Sequence, residues 1–280
     1  MKPFIYGQKD NVHLLDLVKS FKYFKRVVAF LAKASARGQK ILFVGTSERS
    51  RALVTRAARR AGSFYVTEKW LGGMLTNWTT LQRSTETLRQ LERQERSGAL
   101  RRRPKKELAS ALRRRQKLQR TLGGVKHMTR LPHIAIIIGQ NEELNALEEC
   151  NRVGLRHVTL LDTNNDPTRA DLFIPANDDS LTSVGLILNV FVTAIRDGKS
   201  VLRQKRKLVV ERKIRVSPAT RRTRRSPRRS QRPPGPHKTR RDRRVDPPGR
   251  NPVLQPPPVR PPGSEHERRF ESSDNPRPSV

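Results

Sequence analysis

The chain sets short, almost purely apolar runs at intervals: Lys40-Ile-Leu-Phe-Val-Gly45, Phe64-Tyr-Val66, His133-Ile-Ala-Ile-Ile-Ile138, His157-Val-Thr-Leu-Leu161 and Leu172-Phe-Ile174. Each is too short for a helix. An apolar residue at nearly every position suits a strand covered on both faces, which is how parallel strands are built. Helical patterns separate them. One stripe over 12–37 carries Leu14, Leu17, Val18, Phe21, Val28 and Leu31, and a second helix follows a Thr46-Ser47 cap and ends at Gly62. A third runs from Glu142 to Val153 and closes at Gly154. The last, from Ser180 to about Arg196, aligns Leu181, Val184, Leu188, Phe191 and Ile195, with Gly198 as its predicted stop. Strands alternating with helices predict an α/β chain: a doubly wound, three-layer parallel sheet of about five strands, built from residues 1–81 and 123–200.

Between those halves the pattern changes. Leu81, Leu88 and Leu91 form a thin seam, Ser97-Gly98 breaks it, and Leu108, Leu112, Leu118 and Leu122 form a returning seam after Pro104. A stripe that narrow predicts an antiparallel helical hairpin over 82–122 rather than a core helix. Its tip and far arm carry Arg101, Arg102, Arg103, Lys105, Lys106, Arg113, Arg114, Arg115 and Lys117. Successive helical residues point about 100° apart, so three arginines in a row cannot share one face. Residues 82–130 hold 16 Lys+Arg against 4 acids, too few for pairing, which makes the hairpin cations candidates for phosphate contacts on RNA.

A second basic block lies at the C-terminus. Residues 212–280 hold 20 Lys+Arg against 6 acids and 15 of the 20 prolines, and only seven residues from Ser217 onward are apolar. So little apolar surface cannot offset the entropy of chain ordering. Residues 201–216 read as a basic connecting segment and 217–280 as a disordered Arg/Pro-rich tail. The formal charge of the whole chain is +35. That excess favours a polyanion partner, with nucleic acid ahead of anionic membrane, because no run resembles the 18 or more apolar residues of a spanning helix. The N-terminus has neither a signal core nor a transit pattern, so the chain is expected to work where it is made. Its one cysteine, Cys150, rules out a disulfide framework within the chain and falls where a core thiol is expected.

Both tryptophans fall in Tyr65–Trp78, in a chain with only 5% aromatic residues. Gly72-Gly73 breaks any helix there, so Trp70 and Trp78 stand on an irregular element that either docks against a partner or closes a core. Two places look chemical. The junction Val44-Gly-Thr-Ser-Glu-Arg-Ser-Arg51 stands where open sheets bind phosphate, yet it has neither glycine-rich cradle, so a phosphate-binding enzyme is the alternative reading only. Five carboxylates, Asp162, Asp166, Asp171, Asp178 and Asp179, follow the fourth strand. Asp162, Asp178 and Asp179 are weak metal candidates, and turn formation with capping at Ser180 is the preferred account. The six histidines show no hydrolytic or zinc spacing. No catalytic residue, cofactor or small-molecule substrate is expected. A general RNA-coating role driven by the basic tail is a further alternative.

Seven blocks then resemble, in order and spacing, the family of the second protein of the small ribosomal subunit: K-P-F-I-Y-G at 2–7, H-L-L-D-L at 13–17, I-L-F-V-G-T at 41–46, W-L-G-G-M-L-T-N at 70–77, L-G-G-V-K-H-M at 122–128, L-L-D-T-N-N-D-P at 160–167 and I-P-A-N-D-D-S at 174–180. The resemblance spans residues 2 to about 197. It implies a flavodoxin-like sheet with a projecting helical hairpin. It also implies a non-enzymatic component that binds small-subunit ribosomal RNA near the junction of head and body and helps seat neighbouring proteins. Within it Trp70, Gly72, Gly73, Asn77 and Trp78 become the junction that braces the hairpin. I-P-A-N-D-D with L-I-L-N at 186–189 is similar to the plastid and cyanobacterial branch, so an organelle-encoded plastid protein is expected, with a mitochondrial or cyanobacterial ribosome as the alternative. The Pro132-His133 turn and the end of the strand at Gly139 lack acids usual in the family, and the tail has no counterpart in it.

Overall fold

In the computed structural model, residues 1–216 are described, with side chains to Glu211; the tail expected over 217–280 lies outside them. The chain opens with an antiparallel hairpin, β1 (Ile5–Lys9) and β2 (Val12–Leu15), turned by Asp10-Asn11. Both turn residues have positive φ, 50° and 61°, as a two-residue type I′ turn requires.

This hairpin corrects the first helical stripe. Leu14 belongs to β2, and α1 (Leu17–Ala36) starts after Asp16, whose Oδ1 accepts from the backbone N–H groups of Val18 and Lys19 at 3.0 and 3.1 Å. The buried face of α1 carries Val27, Leu31 and Ala34, flanked by half-buried Phe24 and Val28. Leu17, Val18 and Phe21 face outward, more than half exposed. The helix starts about a turn and a half later than the apolar spacing suggests, because a strand and a cap occupy residues 12–16, and its apolar stripe begins only at Phe24.

Beyond α1 come β3 (Ile41–Val44), α2 (Glu48–Ala61), β4 (Phe64–Val66), α3 (Trp78–Arg96), α4 (Lys105–Leu122), β5 (Ile134–Ile137), α5 (Leu144–Val153), β6 (Arg156–Leu161), β7 (Leu172–Pro175) and α6 (Leu181–Val216). The five strands β4-β3-β5-β6-β7 pair in that order, all in parallel. This is the flavodoxin-like order 2-1-3-4-5. Alternate residues serve two cores. Ile41, Phe43, Ile134, Ile136, Val158 and Leu160 pack under α1, α2 and α6, whereas Leu42, Val44, Ala135 and Ile137 pack under α5 and the base of the α3–α4 hairpin. Two covered faces are the reason these strands show no polar alternation.

Two termini differ from expectation. Ser47 precedes α2 but its side chain makes no capping bond. Gly198 does not stop α6, which runs on to Val216 through the segment read as a connector. Its role is a close approach: a Cβ there would run into the carbonyl oxygen of Ala32 and lie 2.7 Å from Ser35 Cβ, so glycine lets α6 cross α1 backbone to backbone. α6 is also the one described helix long and apolar enough to cross a membrane, by length and composition. Its apolar stripe, Val184, Leu188, Phe191, Val192 and Ile195, is buried in the first core.

Candidate nucleic-acid interface

The tryptophan loop is organised by a residue that the sequence pattern does not single out. Glu149 projects from α5 at only 7% exposure, and its carboxylate accepts from five donors of the loop. Trp70 Nε1–H and Gly73 N–H reach Oε1 at 3.0 and 2.7 Å; Leu75 N–H, Thr76 N–H and Thr76 Oγ1–H reach Oε2 at 2.8, 3.2 and 3.3 Å. The loop must bend to present those donors together. Gly73 supplies the bend with φ 84°, a left-handed conformation costly for other residues. Burial pushes the Glu149 carboxyl upward, but the donors at Leu75, Trp70, Thr76 and Gly73 outweigh it and hold it below the ordinary 4.5.

Trp70, Met74 and Leu75 enter the second core, with Trp78 packed half-buried against it. Gly72 has open space around it, and Asn77 precedes α3 without a side-chain cap bond. The neighbouring Cys150 is fully buried, and burial pushes its thiol up to about 12, which leaves it inert.

From this base the hairpin projects. α3 and α4 pack through Leu81, Thr85 and Leu88 on one arm and Ala111 and Leu122 on the other, and Leu100 plugs the connecting turn. Three of its four acids are engaged within the protein: Glu95 pairs with Arg115 at 2.9 Å, Glu92 with Lys126 at 3.0 Å, and Glu86 with Arg89 and Arg93, while Glu107 is exposed on the first turn of α4. Among the described residues no ion pair involves Arg101, Arg102, Arg103, Lys105, Lys106, Arg113, Arg114 or Lys117, all of them exposed. Arg115 differs, being half-buried and tied to Glu95.

A second basic surface lies along the β4 edge. An open groove of about 720 Å³ is lined by Arg51, Arg56, Arg59, Arg60 and Arg120, with Tyr65 at its floor. Arg59 donates to Tyr65 Oη at 3.0 Å and stacks over its ring, and Glu68 is shared between Arg51 and Arg120. A neighbouring hollow of about 590 Å³ shares Arg59 and Arg60 and adds Arg196, Lys199 and Arg203 from α6. The spacing of Arg56, Arg59 and Arg60 at i, i+3 and i+4 on α2 is the sequence signal that would have revealed this face. Burial, with Lys40 and Arg203 nearby, lowers the Lys199 pKa, the mark of a crowded cationic surface.

At the switch point of the sheet the expected phosphate position is filled from within. Buried Glu143 places Oε1 2.5 Å from the Thr46 backbone N–H, the donor a phosphate would use. Burial raises the Glu143 carboxyl, partly offset by its bond to Thr46. Nearby, one carboxylate oxygen from each of Asp162, Asp178 and Asp179 comes within 4.8 Å of the others. Burial and the Asp162 charge push Asp178 up to about 6. The capping account also holds there: Asn177 Oδ1 accepts from the Asp179 and Ser180 backbone N–H groups, and Ser180 Oγ from that of Ser183.

A separate face is apolar. Val12, Leu14, Leu17, Val18, Phe21 and Leu186 line a shallow groove of about 930 Å³ beside β7.

A family profile described as ribosomal protein S2 matches residues 1–198. Small ribosomal subunit protein uS2c of Oltmannsiellopsis viridis is 45% identical over 205 residues, 73% of this chain and 86% of that protein. The uS2c of Chlorella vulgaris is 43% identical over 199 residues (71% and 74%), and the uS2 of Picosynechococcus sp. is 44% identical over 199 residues (71% and 78%).

Proposed function

Because the chain belongs to the ribosomal protein S2 family, we propose that it is a structural constituent of the small ribosomal subunit in the plastid, bound to small-subunit ribosomal RNA near the head–body junction. The observation that carries this reading is the unpaired cation array on the hairpin, mounted on a body whose sequence aligns with chloroplast and cyanobacterial relatives. Arg101, Arg102, Arg103, Lys105, Lys106, Arg113, Arg114 and Lys117 meet phosphates. Arg115 holds the two arms together through Glu95. The α2 arginines Arg56, Arg59 and Arg60 extend the contact across the body. Such contacts position a protein by the shape of the folded RNA without reading its bases.

Trp70, Gly72, Gly73, Asn77 and Trp78 form the brace that fixes the hairpin's angle, and Glu149 locks it. Neighbouring ribosomal proteins take the exposed apolar face at Leu17, Val18 and Phe21. A phosphate-binding enzyme on this sheet is disfavoured by Glu143, whose carboxylate already occupies the Thr46 amide. Sedimentation of a plastid lysate in moderate salt tests the assignment. The chain should co-migrate with small subunits, and recovery among free proteins at the top of the gradient would contradict it.

A further inference from the structure

We propose that α6 beyond Gly198 is a third RNA-binding element, a basic arm that meets the phosphate backbone through Arg203, Arg206 and Lys207 in line with the α2 arginines. The proposal rests on the reading of the chain as an RNA-bound subunit protein. It adds a segment outside the family profile, which ends at residue 198, whereas α6 runs on to Val216. Arg196, Lys199, Arg203 and Lys207 recur at steps of three and four residues, and together with Arg206 they occupy about 100° of the helix circumference. From Arg196 to Lys207 that face runs about 17 Å. Its upper end faces α2: Arg196, Lys199 and Arg203 line the hollow of about 590 Å³ together with Arg59 and Arg60, and Asp197 is the one acid on its wall. Lys199 fixes the approach, donating to the carbonyls of Ala61 and Gly62 at the end of α2 at 2.6 and 2.8 Å.

The arm itself calls for an outside partner. Past Leu202, which lies over Gly38, every described side chain to Glu211 is exposed. Between Gly198 and Val216 there are eight Lys+Arg and one acid, Glu211. Among the described residues no ion pair involves Arg203, Lys205, Arg206 or Lys207. Lys199 with Arg203, Arg203 with Arg206 and Arg203 with Lys207 are like charges at helical neighbour spacing, which destabilises the free helix. A helix without packing or paired charges gains its support from what it binds, and a polyanion removes this repulsion. A membrane surface fits less well. Leu208, Val209 and Val210 are exposed, but as successive residues they point about 100° apart and make no apolar face that could lie on lipid.

The test uses the purified full chain and purified small-subunit ribosomal RNA, with binding titrated against KCl. The triple variant Arg203→Gln, Arg206→Gln, Lys207→Gln should bind at least about 10-fold more weakly at moderate salt, with the slope of log K against log salt flatter by about 2–3. Its melting temperature without RNA should match or exceed the parent's, because repulsion within the arm is relieved. A second triple, Arg221→Gln, Arg222→Gln, Arg224→Gln, removes the same charge further along the chain and should cost less. Parental affinity and slope in the arm variant would overturn the proposal while leaving the ribosomal assignment standing. Equal losses in the two triples would also overturn it, since bare charge would then suffice. So would an arm variant that loses binding to phosphatidylglycerol vesicles and keeps binding to RNA. A parent chain that fails to bind the RNA would overturn both readings.

Discussion

Glu149 concentrates five donors on one carboxylate, so its replacement is the sharpest test at the residue scale. Glu149→Gln keeps the shape but turns an amide donor toward groups that are themselves donors. The expected loss is about 2–4 kcal/mol in urea unfolding, read from tryptophan fluorescence, Trp70 being bonded directly to the carboxylate. The pH dependence has a fixed sign. The folded carboxyl titrates below the ordinary 4.5, so its contribution is complete above that value and is lost as pH falls through the folded value. Parent and Glu149→Gln stability curves should converge as pH drops below 4.5; a constant gap would contradict the account. The sequence could not show this bond, because Glu149 lies 76 residues from Gly73 in a pattern that reads as helix surface. What it could show was the pair of tryptophans and the Gly-Gly break, which located the loop without naming its anchor.

At the scale of elements, α1 separates packing from spacing. Leu31→Ala should cost about 2–5 kcal/mol, because Leu31 is completely buried. Leu17→Ser and Phe21→Ser should each stay within about 0.5 kcal/mol, since both are exposed. Urea midpoints for the three variants decide it, and a large loss at Leu17 would restore the stripe read from the sequence. Periodicity misplaced that stripe because 3.6-residue spacing does not reveal where a helix begins; Asp10-Asn11 was the unread hairpin signal. Gly198 teaches a similar lesson. Near a helix end glycine reads as a stop, whereas here α1 passes too close for a side chain. Gly198→Ala should therefore destabilise by about 1–3 kcal/mol where alanine in an open helix would stabilise.

For the whole molecule, the parallel sheet was legible because strands buried on both faces leave uninterrupted apolar runs. The helical hairpin was legible because its seam is thin and its charges unbalanced. The groove along α2 was legible only in part: Arg56, Arg59 and Arg60 share a helical face, but the meeting of α2 with β4 and the end of α4 that shapes the groove leaves no linear pattern. The two basic surfaces make the proposal measurable, namely that exposed cations of the hairpin and of α2 seat this chain on small-subunit RNA. Binding of the full chain to purified small subunits, titrated against salt, tests it most directly. Replacing Arg101, Arg102, Arg103, Arg113 and Arg114 by glutamine should weaken binding at least about 10-fold at moderate salt and flatten the slope of log K against log salt by about 0.7–0.9 per lost phosphate contact. Unchanged affinity and slope in a variant that folds normally would contradict the account.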